Sequence, residues 1–247
     1  VIGRRAAWAG IGLGAAAVGV AAVNAAPSLV ALSAVGRRVS PTLAGVGRPA
    51  HVALTFDDGP DPASTPEFLD ALDALGWRAT FFMLGEMARR APGLAAEVAA
   101  AGHEIAVHGD AHRTQLRRGP RATHDDIARA RDSVAEASGV APAWFRPPFG
   151  TLSVAGWRSA RALGLRTVLW TAWGRDWRAA ATADSVADDV LAGFVDGGTV
   201  LLHDSDCTSA PESWRSSLAA LPLLAKEFAE RGLEVGPVSE HGIDPIR

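Results

Sequence analysis

From residue 49 to residue 238 the chain alternates short apolar stretches of strand character with stretches of helix character, and the residues capable of chemistry fall where the strand-like stretches end. That alternation marks βαβ units and hence an α/β domain built on a parallel sheet or barrel. Strands are expected over residues 51–56, 79–84, 104–107, 166–171, 199–203 and 233–238, with a further one beginning at Trp144 and Phe145. Helices are expected over 65–75, 123–138, 154–163, 185–194 and 213–231, and over an alanine-rich stretch that reaches Ala101 and stops at Gly102. Thr65 as N-cap, Pro66 in the first turn and Gly76 after the last delimit the first of these. Chemistry in parallel α/β architectures sits on loops at the carboxyl edge of the strands. Asp57, Asp58, His108, His112, Arg146, Asp176 and His203 all fall there.

A length of 247 residues, 48% of them apolar, suffices for a real core. The 24 basic and 27 acidic residues leave a net charge of -3, with the basic residues scattered, so no nucleic-acid partner is implied. A single cysteine, Cys207, excludes an intrachain disulfide framework and a thiolate zinc cluster, which leaves histidines and carboxylates to hold any metal.

Arg4 and Arg5 precede residues 6–36, which carry no charge. A helix of about 20 such residues spans a bilayer, so residues 1–26 are expected to form an apolar helix. It reads either as a membrane anchor or as a signal peptide with Val23 and Ala25 at the small-residue positions of a cleavage site. The positive flank stays inside, which places the rest outside, anchored at the outer face or secreted to the cell wall or extracellular space. Residues 27–48 have the composition of a linker or surface wrap, residues 49–240 are expected to form the folded domain, and 241–247 a C-terminal tail.

Two adjacent carboxylates, Asp57 and Asp58, repel unless a cation neutralises one, which suggests one ligand and one base; a simple Asp-Gly turn is the alternative. His108 and His112 are four residues apart in a loop containing Gly109, a spacing that lets both imidazoles reach one ion, although paired surface histidines are also common without a metal. Arg146-Pro147-Pro148-Phe149-Gly150 is a rigid segment in which Phe149 carries the first N–H after the prolines, suited to an oxyanion, or else a structural turn.

Residues 55–59, 108–112, 146–150, 176–177 and 201–203 together resemble, in order, the five motifs of the polysaccharide deacetylases, carbohydrate esterase family 4, over nearly all of residues 49–238. The resemblance implies a distorted (β/α) barrel of about seven parallel strands. It implies Asp57 as catalytic base, Asp58, His108 and His112 as metal ligands, and Arg146 as the residue orienting the base. Phe149 corresponds to the oxyanion backbone donor, His203 to the general acid and Asp176 to its charge partner. Trp177 and Leu201 correspond to the wall around the acetyl methyl, and Pro148 is grouped with them as substrate-binding. Gly109 departs from the family pattern, which has a hydroxyl residue after the first metal histidine. Loss of that side chain is expected to loosen the ligands.

The expected activity is metal-dependent removal of N-acetyl groups from an N-acetylglucosamine-type polysaccharide, peptidoglycan or chitin-like. Zinc is the default metal, with cobalt or nickel as substitutes, and the protein is expected to be a monomer. The alternatives are an O-acetyl ester hydrolase on a xylan-like glycan and a noncatalytic glycan-binding surface protein. His103 and Glu104 are expected to hydrogen-bond locally, and His124, Asp125 and Asp126 to favour a helix start. Most of Trp157, Trp170, Trp173 and Trp214 are assigned to the core.

Overall fold

The computed structural model describes residues 27–28 and 33–243. The expected apolar helix over residues 1–26 therefore lies outside the described residues. Among the described ones, no helix is long and apolar enough to cross a membrane.

The strands are β1 (His51–Asp57), β2 (Thr80–Met83), β3 (Glu104–Val107), β4 (Trp144–Phe145), β5 (Arg166–Thr167), β6 (Ala172–Trp173), β7 (Thr199–His203) and β8 (Glu234–Gly236). Seven of them lie side by side in the order β5-β4-β3-β2-β1-β7-β6, and β8 pairs with the start of β1. Every pairing is parallel. The strand expected over 166–171 stops at Thr167, where Arg166 and Thr167 pair with β4, and a separate strand just past the expected range, Ala172 and Trp173, pairs with β7. Since the edge strands β5 and β6 are joined by residues 168–171 alone, at most about 3.5 Å each, the two edges must curl toward one another. The result is a distorted half-barrel.

Parallel strands covered on both faces are buried throughout, as β1 is. Its even positions, Val52, Leu54 and Phe56, join the large cluster beneath the helices, while Ala53 joins Phe82, Ala106, Trp144 and Val168 in a second cluster inside the barrel. With a side-chain period of two, His51, Ala53, Thr55 and Asp57 share that inner face. Trp144 donates its indole N–H to Glu104, which also accepts from Thr80.

Around the sheet pack α1 (Ala34–Val39), α2 (Pro41–Ala44), α3 (Thr65–Leu75), α4 (Gly85–Arg90), α5 (Pro92–Ala100), α6 (Pro120–Ser138), α7 (Val154–Ala162), α8 (Ala183–Gly193) and α9 (Trp214–Glu230). The alanine-rich helix breaks at Ala91, because the residue before a proline is pushed from the helical region and Pro92 starts a new first turn. Ser64, not Thr65, is the N-cap of α3; the Thr65 hydroxyl instead donates to Asp204. Before β1, Val46 bridges Gly198, Gly45 accepts from the Thr199 hydroxyl and Leu43 from the Leu169 N–H, so this stretch wraps across the barrel side. At the other end of the chain His241 and Ile243 are buried.

Candidate active site

The ends of β1, β3, β4 and β7 bring the two carboxylates, the histidine loop, the arginine and the final histidine to one mouth of the barrel. Arg146 lies beneath it, fully buried. Its guanidinium donates to Asp57 Oδ1 at 2.7 Å, to Thr55 Oγ1 at 2.8 Å and to the carbonyls of Leu169 at 3.0 Å and Val168 at 3.4 Å, with the Phe82 ring 4.0 Å from its Cζ. A buried charge persists only when paired and saturated with hydrogen bonds. Here the saturation comes partly from the chain that crosses between the sheet edges, which explains why residues 168–169 do not continue a ladder. Burial pushes the Asp57 carboxyl above its ordinary range, and the Arg146 charge opposes that without cancelling it.

Asp58 adopts a left-handed backbone conformation, φ 81°, and so do His112 at 44° and Phe149 at 58°. Non-glycine residues in that region are strained by about 1–3 kcal/mol and persist only where the surroundings hold them. The ligand atoms of Asp58, His108 and His112 converge within 4.8 Å of one another. Asp58 Oδ1 is 3.5 Å from His108 Nε2 and 3.4 Å from His112 Nε2. These gaps are long for hydrogen bonds and match the separation of two ligands that share an ion at about 2.1 Å each. Two observations show that the residues fit a divalent cation. Asp58 Oδ1 is buried without a hydrogen-bond partner. His108 Nδ1 lies 2.9 Å from the Arg146 carbonyl, which fixes the proton there and leaves the Nε2 lone pair facing Asp58. Burial, outweighing the Asp58 charge, lowers the His108 imidazole to about 3, so it is neutral as a ligand must be.

The loop between the two histidines is anchored from behind. Gly109 and Asp110 carbonyls accept from the first N–H groups of α4, the Asp110 carboxylate receives Arg89 and Arg129, and the Asp110 N–H points to Asp126. Asp126 is therefore not at the helix start, which falls six residues earlier at Pro120; it braces the histidine loop and is held by Arg118. Gly109 has φ 87°, and a Cβ there would meet Asp126 Oδ2 and Pro148 Cγ at 3.3 Å. Glycine suits this backbone, and its presence leaves the three ligands together.

On the other flank His203 Nδ1 is 2.8 Å from Asp176 Oδ1, while Asp176 Oδ2 accepts from the His203 N–H and the Ser217 hydroxyl. Burial alone would lower the imidazole; the Asp176 carboxylate, with Asp58 and Asp57 nearby, overrides it and pushes the group up to about 10. His203 is thus an imidazolium at neutral pH. Nothing in the local sequence marks Ser217, since it reaches Asp176 from α9.

A cleft of about 290 Å³ opens over these groups, lined by Asp57, His108, His112, Phe149, Gly150, Trp170, Trp173, Trp177, Leu201, His203, Thr208 and Ser209. Trp177 and Leu201 are thus at the cleft; Pro148 is buried and absent from its lining. Of the four tryptophans assigned mostly to the core, Trp214 and Trp170 are there, Trp170 also lining the cleft beside the half-buried Trp173, and Trp157 is exposed. The Phe149 N–H lies outside the turn's own hydrogen bonds, which run from Gly150 to Pro147 and from Thr151 to Pro148. Cys207 points its sulfur at the Asp58 carbonyl, 3.6 Å away, and burial pushes its thiol up to about 12, far from a reactive thiolate.

A cation-fitting triad beside a buried carboxylate and an imidazolium is the equipment of a hydrolase that cleaves an acyl group from a poor leaving group. Comparison with known proteins narrows this class. A profile of the polysaccharide deacetylase family matches residues 44–168. A chitooligosaccharide deacetylase of Bradyrhizobium sp. is 34% identical over 197 residues, which is 76% of this chain and 89% of that protein. A peptidoglycan-N-acetylglucosamine deacetylase of Bacillus cereus is 35% identical over 192 residues, 76% and 86% of the two. The solved structure of the Bc1960 peptidoglycan N-acetylglucosamine deacetylase superposes with a TM-score of 0.73 at 28% identity, over 79% of this chain and 90% of that one. The chain belongs to the polysaccharide deacetylases, carbohydrate esterase family 4.

Proposed function

We propose that this protein is a metal-dependent hydrolase that removes N-acetyl groups from N-acetylglucosamine residues of a polysaccharide of the peptidoglycan or chitin type. The observation that carries the reading is the pairing of Asp57 with His203. They are register partners on adjacent parallel strands, so a carboxylate and an imidazolium, a base and an acid, face one cleft from neighbouring strand ends. A protein that only binds glycan has no use for that pair. The names of the relatives support the substrate class.

A divalent cation, zinc by default and cobalt or nickel as substitutes, would be held by Asp58, His108 and His112 and would supply Lewis acidity toward carbonyl and water oxygens. Asp57, fixed through Oδ1 by Arg146, turns Oδ2 toward the cleft and removes the proton of the attacking water. The Phe149 N–H donates to the oxygen that becomes negative as the carbonyl carbon turns tetrahedral. His203, its Nδ1 engaged by Asp176, gives the Nε2 proton to the departing amine, and the C–N bond breaks to acetate and a free amine. Trp177 and Leu201 enclose the acetyl methyl. An exported location fits such a substrate and the uncharged residues 6–36.

The test is a panel of chitin oligomers, peptidoglycan fragments and acetylated xylan, offered to metal-stripped protein after adding back zinc, cobalt or nickel. Acetate and primary amine should appear in equal amounts from the first two. Acetate without amine, from xylan alone, would make it an ester hydrolase, and binding without either product would make it a glycan-binding protein.

A further inference from the structure

We infer that Thr208 is a positioning residue for the cation site, selecting which oxygen of Asp58 faces the ion. This rests on the cation reading above and adds the loop after β7 to the binding machinery.

The two oxygens of the buried Asp58 carboxylate are not equivalent. Oδ2 accepts from the Thr208 hydroxyl at 2.6 Å, whereas Oδ1 has no hydrogen-bond partner and faces Nε2 of both histidines. A free carboxylate can rotate or present both oxygens. One strong hydrogen bond to Oδ2 fixes the plane and leaves a single oxygen as ligand, the way outer partners orient ligands in metal sites. Thr208 lies 150 residues from Asp58 in sequence, so its own placement must be secured. Asp204 O accepts from the Ser64 hydroxyl, the Ser205 hydroxyl bonds Asp61 and the Cys207 N–H, and the Ala210 N–H reaches the Trp177 carbonyl. The loop is therefore pinned to α3 on one side and to the cleft wall on the other, with Thr208 at its centre.

Two variants of the full chain separate a positioning role from packing. Thr208→Val keeps the shape without the hydroxyl, and Thr208→Ser keeps the hydroxyl without the methyl. Zinc affinity is measured by competition with a chromophoric chelator, and thermal midpoints are taken without metal. Thr208→Val is expected to weaken zinc binding about 10- to 100-fold, with Thr208→Ser close to wild type and the metal-free midpoints of all three alike. Wild-type affinity in Thr208→Val, or an equal loss in both variants, overturns the inference while the cation reading stands. Absence of zinc, cobalt and nickel binding by the wild type overturns the cation reading and this inference with it.

Discussion

Two pairs of histidines lie at opposite ends of the barrel, and they are used in opposite ways. His51 opens β1 and Asp57 closes it, six residues or about 20 Å apart on the same inner face. At the closed end His51 and His241, both buried, meet Nδ1 to Nδ1 at 2.7 Å, so one ring donates to the other there, while His241 Nε2 is buried without a hydrogen-bond partner. At the open end His108 and His112 have ring centroids 5.3 Å apart and turn their Nε2 atoms to the bare oxygen of Asp58. Burial keeps the rings neutral in both places: His51 and His241 fall to about 4 and His108 to about 3. What separates a lock from a ligand set is therefore the partner. Two rings that meet only each other bring no oxygen ligand to an ion, whereas two rings turned to a carboxylate oxygen without a hydrogen-bond partner gather three donor atoms at one point.

Removing one member from each end separates a metal ligand from a structural histidine. Asp58→Asn or His112→Ala should abolish zinc binding and turnover together. Asp57→Asn should lose at least 10²- to 10⁴-fold in kcat with the metal retained. His241→Ala should keep zinc affinity within about twofold and lower Tm by roughly 5–10 °C. Isothermal titration with a melting curve reads both ends. Full zinc occupancy in Asp58→Asn would undo the division of labour in the acidic pair.

The His203–Asp176 pair at the mouth and the His51–His241 pair at the closed end should respond to pH in opposite directions. At the mouth the His203 value is raised from 6.5 to about 10, so the Asp176 pair stabilises fully below pH 6.5 and its contribution is lost as the pH rises through about 10. Asp176→Asn should move the alkaline limb of kcat/KM down toward 6.5 and cut kcat on the order of 10²-fold. At the closed end the values are depressed, so the unfolded chain binds protons that the native pair refuses, and stability falls as the pH drops from 6.5 through about 4. Arg48 opposes protonation of both rings, and Glu234 favours it at His51. His51→Asn should lower Tm at pH 7 yet flatten its slope between pH 6.5 and 4, leaving the part due to the other histidines whose values burial depresses, His103, His108 and His112. An unchanged slope would mean the pair does not titrate in that range.

The two ends differ as much in how far they could be read from sequence. The open end was legible because parallel topology gathers the carboxyl ends of strands, so Asp57, His108, Arg146 and His203 announce themselves by sitting just after apolar stretches. Each also lies within a short recognisable motif. The closed end has no local signature: His51 and His241 are 190 residues apart, and only the return of the chain after β8 brings them together. The same holds for hydroxyls that work at a distance, Thr208 on Asp58 and Ser217 on Asp176. Residues 166–171 read as one strand because Thr167, Val168, Leu169, Trp170 and Thr171 are all strand-favouring types. That the ladder stops at Thr167 depends on the Arg146 guanidinium claiming the Val168 and Leu169 carbonyls, a competition that periodicity does not encode.

The smallest expected effect concerns Gly109, the position where a family hydroxyl is missing. If that glycine were a defect, Gly109→Ser would tighten zinc binding by restoring a side chain behind His108. The backbone argues otherwise. At φ 87° a Cβ is strained by about 1 kcal/mol, and it would press on Pro148 and on Asp126 Oδ2, which already holds the histidine loop through the Asp110 N–H. Gly109→Ser should therefore lower Tm by roughly 2–4 °C and weaken zinc binding a few-fold, with Asp126→Ala weakening it further because the Asp110 N–H and Arg118 both lose their acceptor. Tighter zinc binding in Gly109→Ser would show that the ligand loop is under-braced after all.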